Sequence, residues 1–219
     1  MSGAPETGTG PTASSDAGFA SRLGLVWIVD GTSADDAGRL DTALAHGVTA
    51  LWLRAPWLDG ATLYRTARDL RRRTRDHGAA LIVGDRADVA LAAEADAVQL
   101  GFRSPPLRRV RPWFRGAIGV SCHTARDLER AALGGATYTV LSPVFGVPEK
   151  GEPLGLPQLA RLVAEAELPV VGLGGIGPEE APGVRAAGAV GVAVIRALRD
   201  AEDVLDATRR LAPESPPGK

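Results

Sequence analysis

The stretch Ala80–Gly101, ALIVGDRADVALAAEADAVQLG, decides the fold. It opens on four consecutive apolar residues, Ala80-Leu-Ile-Val83, and ends on a second short apolar run, Ala97-Val-Gln-Leu100. Between them Ala87–Ala93 reads as a short helix. Short strands without polar alternation are covered on both faces, and strands covered on both faces are parallel, joined by helical crossovers. One strand–helix–strand unit is therefore legible in 22 residues.

The same unit repeats in both directions. Upstream lie a strand at Leu25–Val29, a helix from about Ala34 to Ala45 ended by Gly47, a strand at Thr49–Arg54, and a long helix capped by Asp59 and running to Gly78. Downstream the strands are Ile118–Ser121, Tyr138–Leu141, Pro169–Leu173 and Val190–Val194. Their companion helices fall at Pro106–Phe114, Ala125–Leu133, Leu156–Ala166, Glu179–Ala187 and Ala201–Leu211. Eight such units in 219 residues predict an α/β fold, a closed (βα)8 TIM barrel. The alternative is an open doubly wound sheet. That fold carries a Gly-rich phosphate loop after its first strand, where this chain reads Asp30-Gly-Thr-Ser33. Residues 1–20 are Gly, Ser, Thr, Ala and Pro with few large apolar groups, and are expected to be disordered. Residues 21–212 are expected to form a single barrel domain, and 213–219 a flexible tail.

The 25 basic and 26 acidic side chains nearly cancel, so no global field draws the chain to nucleic acid or an anionic membrane. Cys122 is the only cysteine, which rules out an internal disulfide. No apolar run approaches the ~18 residues that span a bilayer, and the N-terminus lacks a secretory pattern. The expectation is a cytoplasmic protein without nucleic-acid or membrane partners; a homo-oligomer is compatible with the sequence.

Barrel active sites form where strands exit at their C-terminal ends. The exits present Arg54, Asp85 with Arg86, Gln99, Ser121 with His123, Ser142 with Lys150 in its loop, Gly174-Gly175, and Ile195-Arg196. Two glycines after the seventh strand let backbone N–H groups approach an anion, and with the turn from Val194 to Ala197 they match the recurrent barrel phosphate site. His123 leaves a core strand just after Ser121, where an imidazole can move protons near neutral pH. His46 and His77 sit beside glycines at helix ends and read as structural caps. Asp85 is a lone carboxylate, since the next loop, Gly101–Pro105, supplies no second one, so a metal there is not the expectation. Lys150 lies in a Gly/Pro-rich loop, Gly146–Gly155, as either a lid lysine for an anionic substrate or a solvated one. The run Arg71–Arg73 reads as a solvated face, and Trp52 and Trp57, which flank Arg54, either form an aromatic wall beside the mouth or, the favoured reading, pack the second strand against its helix.

Taken in order, several stretches resemble the thiamine phosphate synthase and thiazole tautomerase superfamily. They are Trp52-Leu-Arg54, Ile82–Ala90, Asp96–Gly101, Ile118–Thr124, Tyr138–Phe145 with Lys150, and Val170–Ile176. The resemblance spans roughly Val26–Leu198 and implies a (βα)8 barrel. The synthase branch joins a pyrimidine pyrophosphate to a thiazole phosphate with Mg²⁺. Its Gln-x-Arg-Glu-Lys pattern meets Trp52, Arg54, Ala55 and Pro56 here, its Asn before the Asp is Gly84, its second metal carboxylate is Ser104, and its His is Gln99. Asp85, Ser121, Lys150 and the Gly174-Gly175 pair match it. The tautomerase branch is closer at Val98-Gln-Leu100, Arg103-Ser104 and Ser121-Cys-His123.

The tautomerase resemblance implies a metal-independent isomerase acting on a phosphorylated thiazole. His123 and Ser121 would be catalytic. Arg54, Gln99, Lys150, Gly174, Gly175, Val194 and Ile195 would bind substrate and phosphate, and no cofactor would be needed. A Mg²⁺-dependent synthase using Asp85 is the alternative, and a non-catalytic sensor of thiamine precursors the second alternative.

Overall fold

A computed structural model of the protein describes residues 18–34, 36–147 and 151–213, with only the backbone at residue 32. Eight strands, β1 (Leu25–Val29), β2 (Ala50–Leu53), β3 (Ala80–Gly84), β4 (Ala97–Leu100), β5 (Ala117–Cys122), β6 (Tyr138–Leu141), β7 (Val170–Leu173) and β8 (Gly191–Val194), pair in parallel in chain order, and β8 returns to β1. The sheet is a closed barrel, which excludes the open doubly wound alternative.

Ten helices flank it among the described residues: α1 (Gly31–Ala34), α2 (Ala37–Ala45), α3 (Gly60–Asp76), α4 (Ala87–Ala92), α5 (Leu107–Val110), α6 (Ala125–Leu133), α7 (Gly155–Glu165), α8 (Ala181–Ala186), α9 (Arg196–Arg199) and α10 (Val204–Leu211).

Alternate residues of each strand divide between two cores, as the period of two requires. Leu25, Trp27, Leu51, Leu53, Leu81 and Val83 face outward and meet Leu40, Leu63, Leu70, Leu159 and Leu211 from the helices. Each such side chain contributes about 1.5–3 kcal/mol by leaving water. Val26, Ile28, Ala50, Trp52, Ala80, Ile82, Ala97, Ala117, Tyr138 and Val140 face inward. The interior alanines leave room for the two large rings, Trp52 and Tyr138. Trp52 thus points into the barrel, which corrects the expectation that it packs β2 against its helix; it shares parity with Ala50, not with Leu51 and Leu53. Trp57 is exposed.

Residues 18–20, placed by the sequence reading in a disordered segment, form a helical turn. Phe19 lies against Tyr138, with ring centroids 5.9 Å apart, and Ala20 and Leu23 are fully buried beneath the barrel. These apolar groups plug the N-terminal end of the sheet. Leu23 O lies so close to Gly191 that any Cβ there would stand 1.8 Å from it. Pro213 packs on Gly24 beside them, so both ends of the described chain meet at the β1–β8 seam.

Two helices differ from expectation for visible reasons. The helix expected from Ala34 to Ala45 starts later, as α2 at Ala37, because Asp36 caps it, its carboxylate accepting from the Arg39 N–H at 3.1 Å, and α1 forms in the stretch read as a loop after β1. The helix expected at Pro106–Phe114 stops at Val110, where the Arg111 guanidinium donates to the carbonyls of Phe114 and Gly116 and pins the chain in a turn. The arginine run is less solvated than expected. Arg71 meets Asp96 at 2.6 Å, and Arg73 meets Asp41 at 2.7 Å, tying α3 to its neighbours. His46 and His77 occupy the C-cap positions of α2 and α3. No helix among the described residues is long and apolar enough to cross a membrane.

Candidate active site

A cavity of about 1080 Å³ opens at the C-terminal mouth of the barrel. Arg54, Asp85, Gln99, Ser121, His123, Gly174, Gly175, Val194 and Ile195 all line it, so the strand exits converge as the sequence predicts. Lys150 lies outside the described residues. Trp52 also lines the floor of the cavity.

His123 is held at two points. Its Nδ1 stands 2.6 Å from the carbonyl oxygen of Ser142. A carbonyl only accepts, so Nδ1 carries the hydrogen and Nε2 is the basic nitrogen of the neutral ring. Its backbone N–H donates to Asp127 Oδ2 at 3.1 Å. Asp127 and Thr124 form the reciprocal capping box that starts α6, so the helix start fixes the backbone of His123. Burial works to raise the Asp127 pKa. Hydrogen bonds from the Thr124 hydroxyl and from the His123 and Thr124 backbone, with the nearby imidazole, outweigh it and hold the group below its ordinary 3.8.

Asp85 has a left-handed backbone, φ 62°, a conformation that Asp tolerates better than most side chains. Its N–H donates to the Gln99 carbonyl at 2.8 Å. Its Oδ1 accepts from the Ser104 hydroxyl at 2.6 Å, and Ser104 Oγ in turn accepts from the Gly101 N–H at 2.9 Å. The carboxylate therefore latches the loop after β4. Arg86 turns away to Asp88, whose carboxylate is 2.6 Å from its Nη2.

The glycine pair has a structural reason of its own. Gly174 and Gly175 have φ of 108° and 63°. A Cβ at Gly174 would lie 2.9 Å from Pro143 Cα, and one at Gly175 would lie 2.8 Å from Phe145 Cβ. The Val144 and Phe145 N–H groups donate to the Leu173 and Gly174 carbonyls. Only glycine allows the exits of β6 and β7 to pack this closely.

Seven polar lining residues carried no assigned role in the expected site, although Ser142 and Arg196 were named as strand exits and Arg103 and Ser104 in the resemblance: Arg103, Ser104, Asp127, Ser142, Glu180, Arg196 and Asp200. Ser142 and Arg196 are strand-exit residues, and Thr124-x-x-Asp127 is a capping signature visible in sequence. Glu180 and Asp200 carry no such signal. The acids are engaged by protein donors: Asp127 in its cap, Glu180 on the Gly177 N–H, Asp200 on Arg199, and Asp85 on Ser104. The backbone N–H of Arg54 donates to the Val29 carbonyl, while its guanidinium makes no hydrogen bond or ion pair among the described residues and is available to an anion at the mouth.

The β3 exit offers a divalent metal a minimal donor set. Mg²⁺ is held by one or two carboxylates with its waters and substrate phosphates. Asp85 is the one carboxylate at the β3 exit, and the position facing it is a hydroxyl that hydrogen-bonds it. Among the described residues no three His, Cys, Asp or Glu side chains cluster as metal ligands.

A parallel barrel with a cavity of this size at its C-terminal mouth has the architecture of the (βα)8-barrel enzymes that bind phosphorylated substrates. The family profile described as "TMP-TENI: Thiamine monophosphate synthase" matches residues 25–198. Thiamine-phosphate synthase of Moorella thermoacetica is 42% identical over 174 residues, covering 77% of this chain and 83% of that protein. The synthase of Roseiflexus castenholzii is 39% identical over 202 residues, covering 88% and 89%. The structure of thiamine phosphate pyrophosphorylase from Pyrococcus furiosus superposes with a TM-score of 0.81 at 33% identity, covering 88% of this chain and 95% of that one. The chain belongs to the thiamine-phosphate synthase and thiazole tautomerase superfamily, and it is an enzyme. The non-catalytic sensor reading is thereby set aside. The names of these relatives favour the synthase branch over the isomerase expected from the site residues.

Proposed function

We propose that this enzyme acts on a thiazole phosphate and shifts a proton on it without a metal, as a thiazole tautomerase-type isomerase. The observation that carries this reading is the clamped imidazole of His123, with Nδ1–H on the Ser142 carbonyl and Nε2 left as the base at the cavity. Nε2 takes a proton from one substrate atom, and the imidazolium returns it to another. Only bonds to hydrogen break and form, so no co-reactant is required. Backbone N–H groups of Gly174, Gly175, Val194 and Ile195 hold the phosphate. Arg54, Gln99 and Lys150 contact the remainder, and the Ser121 hydroxyl serves the reacting centre.

The second reading is a thiamine phosphate synthase, transferring hydroxymethylpyrimidine from its pyrophosphate to thiazole phosphate with Mg²⁺ and Asp85. The names of the relatives favour it; the single carboxylate latched by Ser104 argues against it. Calorimetric titration and turnover assays with thiazole phosphate carboxylate and with pyrimidine pyrophosphate, each in Mg²⁺ and in EDTA, separate the two. The isomerase reading expects metal-indifferent turnover that falls by about 10²–10⁴-fold in His123→Ala. Mg²⁺-dependent pyrophosphate release, lost in Asp85→Asn, overturns it and puts the synthase first.

A further inference from the structure

Four interior positions run in register across β3 to β6. In register, Gly84 of β3 stands opposite Gln99 of β4, Gln99 opposite Gly119 of β5, and Gly119 opposite Tyr138 of β6. A Cβ on Gly119 would lie 2.1 Å from Gln99 Oε1 and 2.3 Å from Tyr138 Cζ. The amide and the phenol ring therefore both lean into the space that glycine leaves. Gln99 is 1% exposed and Tyr138 1% exposed. Gln99 Nε2 donates to Ser121 Oγ at 3.2 Å, while Gln99 Oε1 and Tyr138 Oη have no hydrogen-bond partner among the described residues.

These facts bear on the direction of one proton. A glutamine amide has two orientations related by a half-turn, and Ser121 can bond to either end. With Nε2 toward it, the serine hydroxyl accepts, and its own hydrogen remains for a group in the cavity. With Oε1 toward it, the hydroxyl donates downward and shows the cavity only lone pairs. A buried acceptor left unpaired is costly, so the neighbour of the amide oxygen decides between them. Burial drives the Tyr138 pKa far above the ordinary phenol value, which keeps its O–H as a neutral donor. Phe19 packs against the ring from below and keeps it in place.

We propose that Tyr138 is a positioning residue whose hydroxyl donates to one buried water that in turn donates to Gln99 Oε1, and so leaves the Ser121 hydroxyl proton for an acceptor atom of the substrate. The relay makes the exit of β5 selective for a ligand that places a carboxylate oxygen or ring nitrogen there. It rests on the reading that Ser121 faces the substrate.

The test is a double-mutant cycle read by calorimetric binding of thiazole phosphate carboxylate, with inorganic phosphate as the control ligand. Tyr138→Phe keeps the ring and its packing, and should weaken the thiazole ligand by about tenfold while leaving inorganic phosphate within about twofold. Gln99→Glu, which accepts from the serine hydroxyl, should weaken it at least as much. On a Ser121→Ala background, Tyr138→Phe should have no further effect, because the relay has lost its terminus. Additive losses, or a Tyr138→Phe protein that binds like wild type, overturn the relay. Should wild type not bind the thiazole at all, the proposed function fails and the relay is judged separately. The side-chain amide signals of Gln99 in ¹⁵N NMR of the free protein must shift in Tyr138→Phe, and unchanged signals overturn it.

Discussion

Replacing Ser104 with aspartate tests whether this site has given up a metal. Ser104 Oγ stands 2.6 Å from Asp85 Oδ1. Ser104→Asp brings a second carboxylate to about 4 Å from the first, where two like charges repel by about 4 kcal/mol at an effective dielectric constant of about 20. Both positions are half-buried, so rotation and entering water relieve most of this and leave about 1–2 kcal/mol. The lost hydrogen bond to a charged acceptor adds about 1.5 kcal/mol. The sum is about 3 kcal/mol, which for a domain of this size lowers Tm by about 6–12 °C in EDTA. Two adjacent carboxylates recruit a divalent cation. A site of about 1 mM affinity regains about 1.4 kcal/mol at about 10 mM Mg²⁺, or about 3–5 °C. Wild type, with its hydroxyl latch, should move by less than about 1 °C under the same change. The assay is thermal unfolding of both proteins in EDTA and in Mg²⁺. A variant that melts with wild type in EDTA refutes the electrostatic reasoning. A wild type that rises with Mg²⁺ as much as the variant shows that Asp85 alone recruits the ion, and the synthase reading gains.

Gly174→Ala combines a left-handed φ of 108° with a Cβ 2.9 Å from Pro143 Cα. It should cost about 3 kcal/mol in urea unfolding, and near-wild-type stability would show that the β6 and β7 exits yield. The folded pKa of Asp127 lies below its ordinary 3.8, so its stabilisation is complete above that value and is lost as pH falls through the folded value. Asp127→Asn should therefore flatten the loss of stability below about pH 4, and an identical acid limb in both proteins would count against the cap. Burial pushes the Cys122 thiol up to about 12, so iodoacetamide at pH 8 should leave the native protein unlabelled and modify it once unfolded. Rapid native labelling would mean that the β5–helix layer opens.

The barrel was legible because each strand is short and apolar on both faces. β4, α6 and β6 have the very bounds expected from sequence. The strand-exit rule likewise brought Arg54, Asp85, Gln99, Ser121, His123 and the glycine pair to one cavity. What escaped the reading depends on contacts between distant segments. Arg111 ends α5 through carbonyls that only the folded turn presents. Glu180 reaches the cavity from the start of α8 and Asp200 from the end of α9, helices whose directions are set by the loop path. Trp52 could have been placed by parity: the alternating small residues Ala80, Ala97 and Ala117 mark the inward face, and Trp52 shares its parity with Ala50. The Ser104 latch needed the left-handed turn at Asp85, which aims the carboxylate across to the next loop.

The meeting of the two ends of the described residues at the β1–β8 seam governs when the barrel can exist. During synthesis the first seven strands emerge as an open sheet, with Leu25–Trp27 an unpaired edge and nothing opposite it until Gly191–Val194 follows. Closure thus waits on the most sequence-distant pairing in the molecule, which makes it a late step. The same proximity makes Gly24 and Pro213 natural joining points, so a ring cut open in a distant loop would still carry every strand in its place.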